Sequence, residues 1–477
     1  MNVNNAMINH GVNVRERPTN ISPPVIVPVS IPFVIGAAPV QSATDAPPPG
    51  QPVLVRDWND AVAKLGYSDE WDKYNLCEFM DSHFRLYKRS PVVFCNLLNP
   101  ESMFSAVSAA DFTVSDHKVF LPLDAVNDEH LVIRQAGGSG SAFEKGSDYE
   151  TFYSGSSLVV EFLSSGAAFS LDTVSVAYRQ VTPESVTNNV VAMGMESYEY
   201  VVHHTGIIAD LIVSPRYSKD PVVAAAMTVK AKGIFGAKAL IDIDTGLDGG
   251  ARSCKDAPDV KELNNLFDED QIVCWPMISS AGKIYHYSSH LAGVMATIDN
   301  RNDDIPYESP SNEVLLAEAV VLEDGTPVVL THAEANLVES NGIVTAFRFI
   351  NGLTTWGNYT ACFPGNIDPK DFFININRMF DWVANSLIYT YWVFVDRPMN
   401  LRNIESIKDS INIWLNGLVG GQFLLGGRVE FRASENPTEN LMRGIAQFDI
   451  FLTPPPPLAE IKFKLEFDLG YFDALTA

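Results

Sequence analysis

Cysteine is scarce in this chain: 477 residues hold five, Cys77, Cys95, Cys254, Cys274 and Cys362, odd in number and far apart. No CxxC occurs, which argues against a zinc site or a dithiol redox pair and points to reduced thiols in a cytoplasmic setting. Positive charge is short as well, with 33 Lys and Arg against 58 Asp and Glu and a net charge of −25. Nucleic acid calls for basic binding surfaces, and anionic membrane surfaces attract them, so neither is an expected partner. The opening MNVNNAMINHGVNVRERPTN has no apolar signal core, and prolines interrupt the apolar ISPPVIVPVSIPFVIGAAPV, which disfavours a membrane helix. The expectation is a protein made and kept inside a cell, without lipid contact.

Catalytic signatures are also missing. AGGSGSAFEKGS lacks the GK[ST] ending of a phosphate loop and reads as a hairpin tip. His286 and His290 in HYSSH share one helix face, but no HExxH glutamate lies between them. His203 and His204 adjoin a strand, where neighbours point to opposite faces and cannot easily grip one ion. Asp242 and Asp244 of LIDIDTG fall at a strand end and suit capping or a turn. No GxSxG occurs and no cysteine has a nucleophile's context. Asn358-Tyr359-Thr360 is a glycosylation triplet, without a signal peptide to bring it to the machinery. No catalytic residue, metal or cofactor is expected.

What is present is architecture. Residues 25–36 and PVVFCNLL (91–98) read as buried strands. DWNDAVAKLG reads as a helix between an Asp57 N-cap and a Gly66 C-cap, and a second helix is expected over 71–88. From 100 to 200 short strand-like runs (KVFLPL, LVIRQ, YETFY, SLVVEFL, SVAYRQV) alternate with turn-rich stretches. Strands then alternate with helices again: GIIADLIVSP, a helix opened by Asp220-Pro221, AKALIDID, IVCWPMI, and the helix SSHLAGVMATIDN. Ile404, Ile407, Ile411, Trp414 and Leu418 mark a helix stopped at Gly420-Gly421, and GGRVEFRAS and IAQFDIFL read as strands.

The chain closes with TPPPPLAEIKFKLEFDLGYFDALTA. Ile461, Phe463, Leu465, Phe467 and Leu469 alternate with Lys462, Lys464, Glu466 and Asp468, so one face of an extended segment is apolar. A strand needs a sheet, and the stiff proline run disfavours folding straight back. Either the segment completes the chain's own sheet or it adds to the sheet of another copy.

Several stretches, in order along the chain, are similar to contractile tail sheath proteins. HGVNVRERPTNISPPVIVPVSIPFVIGAAP resembles that family's opening arm and first strand, and GIIADLIVSPRYSKDPVVAAAMTVKAKG its core strand and helix. TTWGNYTACF with FFININRMFDWV resembles its Trp-Gly-Asn-x-Thr and Asn-x-x-Arg segments, although Met379 stands where a second arginine is common. NIESIKDSINIWLNGLVGGQFLLGGRVEF through TPPPPLAEIKFKLEF resembles its C-terminal domain and arm. Residues 100–200 fall outside the resemblance.

The resulting expectation is a multidomain α/β protein with a mixed, largely parallel sheet core, subtilisin-like in topology by resemblance. Its parts are an N-terminal arm (1–20), a first part of the core (21–99), an inserted β-rich outer domain (100–202) and the core continued (203–359). A C-terminal α+β domain (360–457) and a C-terminal strand arm (458–477) follow. The resemblance implies a virion-tail or bacteriocin-particle subunit, assembled in the host bacterial cytoplasm, that stacks in hexameric rings on a tail tube and contracts. Its partners would be copies of itself, the tube protein, and baseplate and tail terminator proteins. Val12, Val14 and the five apolar residues of the last segment would pair with neighbours, and Glu405, Lys408 and Asp409 would face the tube. The alternatives are a static capsid or tube subunit, and a hydrolase with a β-rich accessory domain.

Overall fold

The computed structural model describes residues 24–475. Among these, 27–388 with 454–475 form a larger unit, and 24–26 with 389–453 a smaller one.

The larger unit is built on an eight-stranded sheet. Its strands are β1 (Pro32–Gly36), β2 (Val53–Val55), β3 (Val92–Asn96), β4 (Leu211–Val213), β5 (Lys238–Asp242), β6 (Gln271–Cys274), β7 (Ile343–Phe349) and β8 (Gly352–Trp356). They lie in the order β8-β7-β6-β5-β4-β1-β3-β2. The six inner strands pair in parallel, and the edge strands β2 and β8 run antiparallel to their neighbours. Successive residues of β1, β3 and β5 are all buried, odd and even alike, so the sheet is covered on both faces. That is why these strands read as continuous apolar runs rather than alternations. Two of the helices begin where their caps predict: Asp57 accepts from Asp60 N at 2.9 Å, and Asp220 from Val222 N at 2.9 Å ahead of Pro221.

Between β3 and β4 the chain makes two three-stranded antiparallel sheets. One contains Phe104–Thr113, Thr173–Val181 and Val132–Gln135, the other Lys118–Pro122, Ser157–Phe162 and Tyr149–Ser154. They enclose a core of their own, with Val119, Leu121, Ile133, Leu158, Val160, Val174 and Val176 buried. The excursion closes on itself, since Thr182 N donates to Met103 O at 3.0 Å.

In the smaller unit the helix Leu401–Gly420 buries Ile411, Trp414, Leu415 and Leu418. Beside it runs an antiparallel ribbon of Gly426–Glu430 and Asp449–Thr453. Asn412 Oδ1 accepts from Val429 N at 3.0 Å, and a Cβ on Gly427 would sit 3.2 Å from Leu415. Glycine therefore lets the ribbon approach the helix closely.

Several local expectations are corrected. The helix expected over 71–88 is shorter: it spans Asn75–Met80 and widens into a π turn over Asp81–Leu86, while Lys73 and Tyr74 ahead of it reach Asp124. IVCWPMI is two strands, β6 and Met277–Ser280, which lie in different sheets because Pro276 has no N–H for a ladder. GIIADLIVSP contributes only Leu211–Val213, since Asp210 turns to cap the Ser30 and Ile31 amides. His203 and His204 lie on a short helix, Val201–Thr205, not beside a strand. The AGGSGS stretch does turn back on the chain, through an antiparallel bridge between Gln135 and Ser139, but it does not join the strands on its two sides, which belong to different sheets. The alternating C-terminal segment forms no strand in the single chain, and Leu469 opens a 3₁₀ turn, Leu469–Leu475.

Candidate assembly surfaces

The C-terminal segment begins from a fixed root. Pro454 is buried, and Asn375 Nδ2 donates to Tyr307 O at 2.7 Å and to Pro455 O at 3.4 Å. Pro455–Ala459 form one wall of a cavity of about 430 Å³ whose other side includes Glu308, Glu313 and Asn358. From Leu458 onward every described side chain is exposed. Ile461 is 59 % exposed, Phe463 86 %, Leu465 95 %, Phe467 79 % and Leu469 68 %. On the opposite face Lys462 pairs with Glu460 at 3.0 Å, and Lys464 pairs with Glu466. Fully extended, 458–468 reaches about 36 Å, enough to cross a neighbouring small domain. The apolar face of the alternation is thus uncovered by any sheet among the described residues. Val12 and Val14 lie outside the described residues.

On the helix Leu401–Gly420, Glu405 and Asp409 are exposed on the side away from Ile411, Trp414 and Leu418, whereas Lys408, one turn before Ile411, flanks the buried face and is half-buried. The ribbon beside it has two strands and, among the described residues, no third. Two-stranded ribbons are marginal alone, so its open edges suit another strand.

Buried ion networks hold the chain at its exits from the larger unit. Arg378, on the helix Ile374–Tyr391, donates to Asp299 Oδ2 at 2.5 Å and to Ser30 Oγ at 2.9 Å, with Asp210 at 3.6 Å. Asp210 accepts from Ser30 N at 2.9 Å and Ile31 N at 2.7 Å. Burial pushes the Asp210 carboxyl up against the opposing pull of Arg378. Lys238 at the start of β5, 1 % exposed, bridges Asp270 and Asp381, the latter at 2.6 Å. Trp382 Nε1 also donates to Val27 O at 3.0 Å. The Arg378 motif was visible in the sequence, but its acidic partners were not.

A second polar centre sits where β4, β5 and β6 end, the usual ligand position of a parallel sheet. A cleft of about 1170 Å³ there is lined by Arg216, Lys219, Asp244, Lys283, His286 and Glu323 among others. Asp242 accepts from Ser288 N at 2.8 Å, Ser288 Oγ at 2.5 Å and Ser218 Oγ at 2.9 Å. Burial raises its pKa despite those bonds. Glu78 accepts from His286 N at 2.7 Å, His286 Nδ1 at 2.8 Å and Ser289 Oγ at 2.8 Å. Burial opposes charge on the His286 ring, but Glu78 outweighs it and the ring's pKa is raised. His290 bonds Tyr87 Oη at 3.0 Å through Nδ1, and burial pushes it down to about 3. Asp244 pairs with Lys219 at 2.9 Å. All three serine hydroxyls, of Ser218, Ser288 and Ser289, donate to carboxylates, whereas a nucleophile would pair with an imidazole base. The chemistry of this centre is that of a clamp between Asp242, Glu78 and the N-terminus of the helix Tyr287–Arg301.

The cysteines are all free and buried, and burial pushes Cys77 up to about 12 and Cys95 up to about 11. No helix among the described residues is long and apolar enough to cross a membrane.

No protein-family model matches the chain. It is 25 % identical to the tail sheath protein of Burkholderia phage BcepMu, over 97 % of each chain. It is 23 % identical to the tail sheath protein of Escherichia phage P2 over 45 % of this chain and 54 % of that one. Among solved structures it resembles the helical sheath of the anti-feeding prophage in its contracted state, with a TM-score of 0.58 at 14 % identity, covering 96 % of this chain and 99 % of that one. It also resembles the contracted PVC sheath of an extracellular contractile injection system, with a TM-score of 0.57 at 13 % identity over 97 % and 99 %.

Proposed function

We infer that this chain, a contractile tail sheath protein, is the repeating structural subunit of a sheath that polymerises around a tail tube and contracts to drive the tube through a target envelope. The observation that carries this is similarity along the whole length of a phage tail sheath protein rather than over one domain. In such a polymer the exposed segment from Ile461 to Leu469 is a strand donated to a neighbour, and the open ribbon edges of Gly426–Glu430 and Asp449–Thr453 are the acceptor that best suits it. Val12 and Val14 would act likewise from the other end of the chain.

Subunits joined by shared strands can turn past one another without letting go, provided the links bend while the bodies stay rigid. Residues 453–457 would be one such link and residues 18–24, of which only Pro24 is among the described residues, the other; the Arg378 and Lys238 networks support a rigid body. Contraction then draws on interfaces that are incomplete in the long state and more fully buried in the short one, with assembly on the tube trapping the long state. Glu405, Lys408 and Asp409 would meet the tube through weak, salt-sensitive contacts that release readily. Hexameric stacking, subtilisin-like topology and the roles of baseplate and terminator proteins as partners belong to the same reading. So does the role of the two-sheet insert within 100–202 as an outward-facing domain.

Electron microscopy of purified polymer tests the proposal. Tubes with two distinct rises per ring support a sheath, and tubes of one invariant rise under every trigger mean a static tube or capsid-type protein.

A further inference from the structure

Apart from the arm and the polar centre, the larger unit holds a cavity of about 240 Å³ whose walls include Ser30, His83, Lys88, Arg89, Asn300 and Asp304. His83 is 1 % exposed, and neither ring nitrogen has a hydrogen-bond partner. Its ring is held by stacking on Phe79, with centroids 5.0 Å apart. Burial, aided by Arg89, pushes the ring down to about 3, so at neutral pH it carries one N–H donor and one bare acceptor. A buried imidazole left unsatisfied at both nitrogens is costly and calls for a partner in the adjoining space.

In a chain of net charge −25, neither Lys88 nor Arg89 has a carboxylate within ion-pair distance among the described residues, although most other lysines and arginines there do. Arg89 is pre-positioned instead: Nε donates to Thr297 Oγ1 at 3.2 Å and Nη1 to Asn300 Oδ1 at 2.7 Å, which leaves Nη2 without an acceptor among the described residues. Ser30, Lys88 and Asp304 all hold left-handed backbone, with φ of 53°, 54° and 58°. Such conformations are unfavourable in non-glycine residues and cluster where geometry serves a ligand. Among the described wall residues Asp304 is the one carboxylate against two cations; Asp210 and Asp299, which accept from Ser30 behind the wall, are paired with Arg378.

We propose that this cavity binds a small oxyanion of the phosphate type, with Lys88 and Arg89 supplying charge and Arg89 Nη2 and the His83 N–H supplying hydrogen bonds. A divalent cation would find His83 and Asp304 as ligands, but it would face Lys88 and Arg89 at close range. The site does not depend on how the chain assembles.

The test is a titration of the full-length chain, at low salt and with chloride as the control anion, with inorganic phosphate, followed by calorimetry and by the ring resonances of labelled His83. The expected result is one saturable site that shifts the His83 signals and weakens about tenfold or more in Lys88→Glu. Arg89→Met should behave alike, and Lys88→Glu, being at an exposed position, keeps the test valid if the arginine variant folds poorly. Absence of saturation by about 10 mM phosphate, equal affinity in Lys88→Glu, or binding of Mg²⁺ in place of phosphate would overturn the proposal and leave the cavity to water or metal.

Discussion

Replacing Phe463 and Leu465 with serine separates a donated strand from a merely frayed end. Both side chains stand almost free of their own chain, at 86 % and 95 % exposure, so their loss removes no intramolecular packing. Changes at such positions move the stability of a folded subunit by no more than about 0.5 kcal/mol. In a neighbour's sheet, however, each would bury its full apolar surface, contributing about 1.5–3 kcal/mol, or about 3–6 kcal/mol for the pair in every arm. That equals a rise of about 10²- to 10⁴-fold in the subunit concentration needed for polymer. The assay pairs a thermal melt of the unpolymerised variant with sedimentation and negative-stain imaging across a concentration series. The expected outcome is a melt matching the wild type and no tubes at concentrations where the wild type forms them. Tubes at the wild-type threshold, or a melt lowered by many degrees, would refute the reasoning: the first means the face is not used between subunits, and the second means it packs within one.

Further outcomes follow from the buried networks and the insert. Arg378→Met leaves Asp299 and Asp210 without their cation, and should lower unfolding free energy by about 3–5 kcal/mol in urea. The His286–Glu78 pair raises the ring's pKa in the folded state, so its contribution is complete below about pH 6.5 and fades as pH climbs through the raised value. The melting-temperature gap between wild type and His286→Gln should therefore narrow as pH rises above about 6.5; a gap independent of pH would contradict the pairing. Excising 104–181 and rejoining Met103 to Thr182 through a short linker should leave a folded chain that still polymerises under the microscope. It should be less stable by about 1–3 kcal/mol, because Tyr74 Oη loses its 2.6 Å bond to Asp124.

Elements that signal locally were legible in the sequence. Asp57 and Asp220 cap the helices they announce, the spacing of Ile411, Trp414 and Leu418 marks the buried face of Leu401–Gly420, and VVFCN is a fully buried inner strand. The alternation after the prolines was equally plain, since period two in side-chain polarity needs no partner to be seen. Where reading failed, the deciding contact came from far along the chain. Asp210 makes the strand in GIIADLIVSP start late because it answers Ser30 and Ile31, and the polarity of His203 and His204 carries no information on helix or strand. Lys261 looks like an ordinary helix lysine, yet its ammonium donates to the carbonyls of Asn341 at 2.6 Å, Ala361 at 2.7 Å and Phe363 at 3.2 Å, and burial pushes it down to about 8. Nothing within a window around position 261 foretells three acceptors brought in by folding. The same holds for the cavity at His83, whose walls come from three separated segments.

A subunit whose last stretch is greasy on one side and attached to nothing is hazardous to its maker until it is housed. Free copies crowded together could lace through one another at random, forming tangles that no tube can template. Lys462 and Lys464, set between the apolar positions and screened by Glu460 and Glu466, break up the uncharged window that seeds such fibres. Replacing both by threonine would keep the extended shape and remove that safeguard, so overproduction rather than mature particles is where their value would be felt.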